Sequence, residues 1–85
     1  MNRADFVKEI ARQKGISYRQ AYRSVNAVMD TLRLMLAKGE SIEVGGFGTF
    51  AVMSNHKGEQ IPVFKSGKVL NRVVNTPAHF TEQED

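Results

Sequence analysis

Cysteine is absent from this 85-residue chain, which excludes disulfide bonds and cysteine-based zinc sites and agrees with a reducing compartment. The two histidines, His56 and His79, are well separated, so we expect no metal site. No apolar run approaches the length of a membrane span, and the start, MNRADFVKEI, lacks the apolar core of a signal peptide. We therefore expect a soluble cytoplasmic protein with no cofactor and no membrane contact.

Catalytic groupings are missing as well. None of the serines has a histidine and an acid at a spacing that suggests nucleophilic catalysis. The stretch GGFG lacks the following Lys-Ser/Thr pair of a nucleotide-binding loop. These absences predict that the chain is not an enzyme and has no small-molecule substrate.

The short length limits how much apolar surface one chain can bury. Chains of this size usually depend on disulfides, metals or oligomers for stability. Because the composition offers neither of the first two, oligomerisation is the support that remains.

Positive charge is concentrated in the body of the chain. Twelve Lys and Arg face nine Asp and Glu, and three of the acids lie in the last four positions. We expect residues 77–85 to form a loose acidic tail. A basic body favours nucleic acid or an acidic partner, and simple solubility is the alternative explanation.

Apolar spacing predicts two helices in the first forty residues. Asn2 caps the first helix, and Gly15 ends it. Ser17 and Gln20 form a capping box for a second helix of about 20 residues, which ends at Gly39. The apolar stripe of this second helix includes Ala21, Val25, Val28, Leu32 and Met35.

After Gly39 the apolar period changes from 3.6 to 2. The segments SIEV, TFAVM and IPVF predict three short strands, and SGKVLNRVVN predicts a last helix capped by Ser66. The fold class is therefore α+β in the order α-α-β-β-β-α, as a single domain over residues 1–76.

The three phenylalanines of the predicted sheet have more aromatic surface than so small a sheet can bury. Phe47 sits inside a glycine-rich turn, where little local structure can cover it, and Phe50 and Phe64 lie on strands. An intertwined homodimer would bury these rings, each worth roughly 1.5–3 kcal/mol. The alternative is that the second helix covers all three rings within one chain.

Two segments favour binding of a polyanion. The GGFGT turn offers backbone N–H groups without side chains in the way, and Ser66-Gly67-Lys68 opens a helix with a cation beside it. A plain helix cap explains the second segment equally well. Arg3, at the start of the first helix, opposes the helix dipole, which suggests a purpose other than helix stability.

Four segments together resemble the HU/IHF family of bacterial nucleoid proteins: MNRADFVKEIA, SxxQA, KGExIxVxGFGTF and IPVFKSGKVLNRVV. The similarity covers residues 1–53 and 61–75. Members of that family are histone-like, intertwined dimers with a helical base, a β-sheet saddle over double-stranded DNA and two β-arms that wrap the minor groove.

The resemblance implies roles for individual residues. It implies a DNA-facing side near Arg3, Gly46, Gly48, Lys57, Ser66 and Lys68. It implies a dimer core that includes Val28, Leu32, Phe47, Phe50 and Phe64.

The family's DNA-wrapping arm has almost no counterpart in this sequence. Only residues 51–60 stand in its place, and no proline lies between Phe50 and Pro62. The arm's basic residues are reduced to His56 and Lys57. We therefore expect the stretch SNHKGEQ to close a truncated arm with a short turn.

The truncation leaves two functions open. The first is largely non-specific binding to the phosphate backbone of double-stranded DNA, with weakened bending because intercalating arms are what kink the duplex. The second is an interaction module, phage- or mobile-element-encoded, that mixes with or antagonises a host HU-like protein. The expected location is the bacterial nucleoid, or the host cytoplasm for a phage protein.

Overall fold

The computed structural model describes residues 1–76, so the predicted acidic tail lies outside the described residues. Three helices and three strands follow one another in the predicted order α-α-β-β-β-α, which confirms the α+β class. Their bounds are α1 Arg3–Lys14, α2 Tyr18–Ala37, β1 Ile42–Val44, β2 Gly48–Ser54, β3 Gln60–Ser66 and α3 Lys68–Val74.

The chain divides into two compact units, a helical unit, Met1–Leu34, and a sheet unit that begins at Met35. That residues 1–76 form a single domain stays a prediction. Within residues 1–76, no helix has the length and apolar character that crossing a membrane requires.

Both helices of the helical unit begin at their predicted caps, and the reciprocal bonding predicted for α2 is also present at the start of α1. The Asp5 N–H donates to Asn2 Oδ1 at 2.9 Å, and the Asn2 N–H donates to the Asp5 carboxylate at 3.4 Å. Ser17 and Gln20 exchange the same pair of bonds, each at 3.1 Å. These bonds satisfy N–H groups that a helix start otherwise leaves unpaired.

The core of the helical unit is small. Its buried side chains are Val7, Ala21 and Val25, with Ile10, Ala11, Ile16 and Met29 packed against them. From α2, Ala21, Val25 and Met29 therefore face this core. Of the other stripe residues, Val28 is 54% exposed and Leu32 is half-buried.

The sheet unit is an antiparallel meander in the order β1-β2-β3. The β2–β3 hairpin pairs without interruption from Gly48↔Ser66 to Ser54↔Gln60. Because successive strand residues face opposite sides, this register puts the pair Phe50↔Phe64 on one face and the pair Thr49↔Lys65 on the other.

The start of α3 differs from the prediction. Ser66 does not cap the helix, because its pairing with Gly48 keeps it extended as the last residue of β3. Gly67 is the N-cap and has no side chain with which to bond the helix start. The Ser66 hydroxyl donates instead to Asn71 Oδ1 at 2.6 Å.

Candidate nucleic-acid interface

The glycine-rich turn between β1 and β2 is closed by a hydrogen bond from the Phe47 N–H to the Val44 carbonyl at 3.0 Å. Of the glycines in this turn, Gly46 adopts a left-handed backbone with φ of 82°, which favours glycine over residues with a Cβ. The turn is otherwise tight, and it leaves Gly45 and Gly46 exposed.

Gly48 is required for a different reason. It is buried, and a Cβ at this position would lie 2.5 Å from the Lys65 carbonyl oxygen and 2.7 Å from the Phe64 ring. Its missing side chain thus allows the aromatic ring to pack on the strand. This is a packing role that the sequence did not indicate.

The turn is tied directly to the β3–α3 junction. The Gly67 N–H donates to the Phe47 carbonyl at 2.9 Å, so the two segments predicted to bind phosphate lie side by side. Together they line one open pocket. Gly46, Gly48, Ser66 and Lys68, four of the six predicted DNA-facing residues, belong to its lining.

The other two predicted residues lie elsewhere. Lys57 is in the loop at the far end of the β2–β3 hairpin, about 20 Å along the strands from the Gly48↔Ser66 pair. Arg3 belongs to the helical unit, where its Nη1 donates to Asn26 Oδ1 at 3.0 Å.

Lys65 is a pocket residue that sequence reasoning missed. The strand period carries the signal, because the alternation that puts Phe64 on the aromatic face puts Lys65 on the opposite face. Lys65 and Lys68 are exposed, and neither forms an ion pair within residues 1–76. Glu43 is the one acid in the pocket lining that the structure describes. The pocket therefore presents two unpaired cations beside exposed backbone.

The truncated arm is a closed five-residue loop, residues 55–59, as the sequence predicted. Asn55 organises it: its Oδ1 accepts the N–H groups of Lys57 and Glu59 at 2.9 and 3.0 Å, and its Nδ2 donates to the Glu59 carboxylate at 2.7 Å. The Asn55 N–H donates to the Glu59 carbonyl at 3.1 Å, which continues the ladder into the loop. The loop therefore closes the hairpin four residue pairs beyond Phe50, the last β2 residue that pairs with β1.

The three phenylalanines form one cluster on the other face of the sheet. Ring centroids are 4.8 Å apart for Phe50–Phe64, 5.3 Å for Phe47–Phe64 and 6.4 Å for Phe47–Phe50. Phe47 and Phe64 are nevertheless 44% and 42% exposed. A single chain therefore does not cover all three rings, which was the alternative to a dimer.

Comparison with known proteins gives a consistent result at the level of sequence. The model of a family described as "Bacterial DNA-binding protein" matches residues 1–60. Integration host factor subunit alpha of Bdellovibrio bacteriovorus is 30% identical, over 100% of this chain and 93% of the relative. DNA-binding protein HU of Staphylococcus aureus is 32% identical, over 87% of this chain and 99% of the relative.

Solved structures agree with these sequence matches. HU from Thermotoga maritima superposes with a TM-score of 0.76 at 30% identity, covering 87% of this chain and 98% of that one. The HU of an Anabaena HU–DNA cocrystal gives a TM-score of 0.75 at 24% identity, covering 91% and 100%, which supports the fold alone.

The alignment with the Bdellovibrio relative also bears on the arm. The alignment has 102 positions and includes all 85 residues of this chain. The remaining 17 positions of the relative therefore have no counterpart in this chain. Residues 55–59, the short loop of the β2–β3 hairpin, are where the family resemblance predicts this shortening.

Proposed function

The chain belongs to the family of bacterial DNA-binding proteins that includes HU and integration host factor, and from this membership we propose that it binds double-stranded DNA through the phosphate backbone. It does so as a homodimer and with little sequence preference, since phosphate contacts position a protein without reading bases.

The observation that carries this proposal is the pocket that the glycine-rich turn and the β3–α3 junction line together. Lys65 and Lys68 supply two cations without ion-pair partners among residues 1–76, and the turn at Gly46 supplies backbone that phosphate can approach closely. A homodimer would present this surface twice.

The aromatic cluster supports the homodimer. Its rings touch one another yet keep a large exposed area, so a second copy of the same cluster would complete their burial. Val28, which is exposed in the single chain, and Leu32 are the α2 residues that we assign to homodimer contacts.

We assign weak bending to the closed hairpin. Bending a short duplex by 40–90° costs on the order of 1–6 kcal/mol, which added protein contacts must offset. Residues 55–59 contain no proline that could wedge between base pairs, and their basic side chains are limited to His56 and Lys57. The remaining surface suits a duplex that stays nearly straight.

The binding test compares the variant Lys65→Gln/Lys68→Gln with the control Lys38→Gln, which removes one exposed lysine outside the pocket. The double variant should bind every duplex more weakly, and the slope of log affinity against log salt should decrease by about 1 for each phosphate that is no longer neutralised. Lys38→Gln should leave the slope unchanged. Equal slopes for the wild type and the double variant would refute the assignment of the pocket to DNA.

The bending test is ligase-mediated circularisation of short DNA fragments. We expect far fewer circles than with a full-length HU protein at equal occupancy of the DNA. Equal circle yields would show that the short hairpin bends DNA by another route.

A second candidate function follows from the same aromatic face. Because this face is retained while the hairpin is short, a chain of this kind could pair with a full-length HU-like protein. The resulting mixed dimer would have one long arm in place of the two arms of the HU homodimer. Mixing the two proteins and separating the species by native mass spectrometry tests this candidate. The absence of a mixed dimer would exclude it and leave DNA binding by the homodimer unaffected.

A further inference from the structure

The N-terminal half of α2 carries an aromatic and basic surface that has no part in the function proposed above. Tyr18 and Tyr22 stack with ring centroids 6.1 Å apart and an interplanar angle of 21°, and each is 44% exposed. Arg19 and Arg23 form a second exposed row next to them. We call these four side chains the tyrosine–arginine strip.

The two rows form one continuous surface. Residues three or four apart are neighbours on a helix, so Arg19 lies beside Tyr22, and both Tyr22 and Arg23 lie beside Asn26. Asn26 accepts the hydrogen bond from Arg3 Nη1 at 3.0 Å, which brings a third guanidinium to the end of the strip. The strip thus combines two stacked rings with three guanidinium groups.

The charge of this surface is uncompensated. Residues 18–29 include no acid, and the first acid of α2, Asp30, is paired with Arg33 at 2.7 Å. Within residues 1–76, Arg19 and Arg23 have no ion-pair or hydrogen-bond partner through their side chains. Cations near the start of a helix also oppose its dipole, so they do not serve the stability of α2.

We propose that the tyrosine–arginine strip binds single-stranded nucleic acid, with unpaired bases stacked on the tyrosines and the backbone phosphates on the arginines. Exposed aromatic rings offer a face that any base can stack on, and adjacent cations follow the phosphate chain. Paired bases in a duplex do not expose the faces that such stacking requires. The ligand class is therefore a single strand, and the site is separate in residues from the pocket of the sheet unit.

The sequence provides a reporter at this site. Tyr18 and Tyr22 are the only tyrosines, and there is no tryptophan. Tyrosine fluorescence of the unmodified protein consequently reports on the strip alone, and base stacking should quench it. The probes are thymidine and uridine homopolymers of about 12 nucleotides, within the usual range of single-strand site sizes, and a duplex of the same length.

Both homopolymers should quench the tyrosines, and the duplex should not. The DNA and RNA arms of the test identify which single strand binds more tightly. Arg19→Gln/Arg23→Gln keeps both reporters and should weaken the quenching titration at least about tenfold, because two phosphates would no longer be neutralised. The control Lys65→Gln/Lys68→Gln should leave single-strand quenching unchanged while it weakens duplex binding.

A second variant removes the rings themselves. Tyr18→Leu/Tyr22→Leu keeps an apolar helix surface and should weaken binding of a fluorescently labelled homopolymer, measured by anisotropy, at least about fivefold for each base that no longer stacks. Equal quenching by duplex and single strand would overturn the proposal. Equal competition by polyglutamate would overturn it as well, because charge alone would then explain binding.

Discussion

The helical unit contains all three buried apolar side chains found among residues 1–76, whereas the sheet unit buries only Gly48. The helical unit reaches this burial through local sequence, since its capped helices bring the apolar positions of α1 and α2 together. In the sheet unit, the three phenylalanine rings also pack against one another, but the three-stranded sheet leaves their outer surfaces exposed. Local pairing therefore completes the core of the helical unit and leaves the aromatic cluster of the sheet unit largely exposed.

The two units also differ in their net charge. The helical unit has seven Lys and Arg against three acids, and residues 35–76 have five against three. The greater positive charge thus lies outside the pocket proposed for duplex DNA. This difference supports the proposal of a separate polyanion surface on the helical unit. Because the tyrosine–arginine strip shares no residue with the pocket, the two surfaces can be tested separately.

The largest expected effect is on the aromatic cluster of the sheet unit. Phe47→Ala should destabilise the protein by roughly 3–5 kcal/mol if the ring is fully buried in a dimer, and much less if the ring stays as exposed as it is in the single chain. Urea unfolding at several protein concentrations measures this destabilisation. Sedimentation of the wild type at micromolar concentration gives the assembly state.

Met53→Ala is the matched control for Phe47→Ala. Met53 is exposed and lies on the sheet face opposite the aromatic cluster, so its truncation should have a small effect that does not depend on protein concentration. A folded wild-type monomer, or equal effects of the two changes, would contradict the assignment of the aromatic face to a dimer.

Sequence periodicity and capping rules predicted the element order, both helix caps of the helical unit and the strand faces, because these depend on neighbours in the chain. Contacts between distant segments were harder to predict. The bond from Gly67 to Phe47 and the close approach of Phe64 to Gly48 depend on the hairpin register, which composition does not specify. Ser66 was misassigned as a cap for the same reason.

A smaller effect is expected at the hairpin loop, the most local feature of the sheet unit. Asn55→Ala removes three side-chain hydrogen bonds, and we expect a destabilisation of about 1 kcal/mol, since exposed bonds compete with water. His56→Ala is the control, because the His56 side chain makes no hydrogen bond within the described residues. Urea unfolding followed by circular dichroism compares the two. Equal stabilities would mean that the strands, and not Asn55, close the hairpin.

The smallest expected effect lies on the surface of the helical unit. Hydrogen bonds from Arg12, and then from Gln13, lower the pKa of Glu9 from 4.5 to about 2. A carboxyl with a lowered pKa in the folded state stabilises the fold above its ordinary pKa, and the stabilisation disappears as the pH falls towards 2. Glu9→Gln should therefore reduce the pH dependence of stability between about 4.5 and 2, and Gln13→Ala should reduce it less. The change should be small, because solvent screens an exposed group. Urea midpoints across this range provide the measurement.

Because the interaction is local to α1, the difference between variants should not vary with protein concentration, unlike the effect of Phe47→Ala. A concentration-dependent difference would show that the helical unit also depends on assembly for its stability.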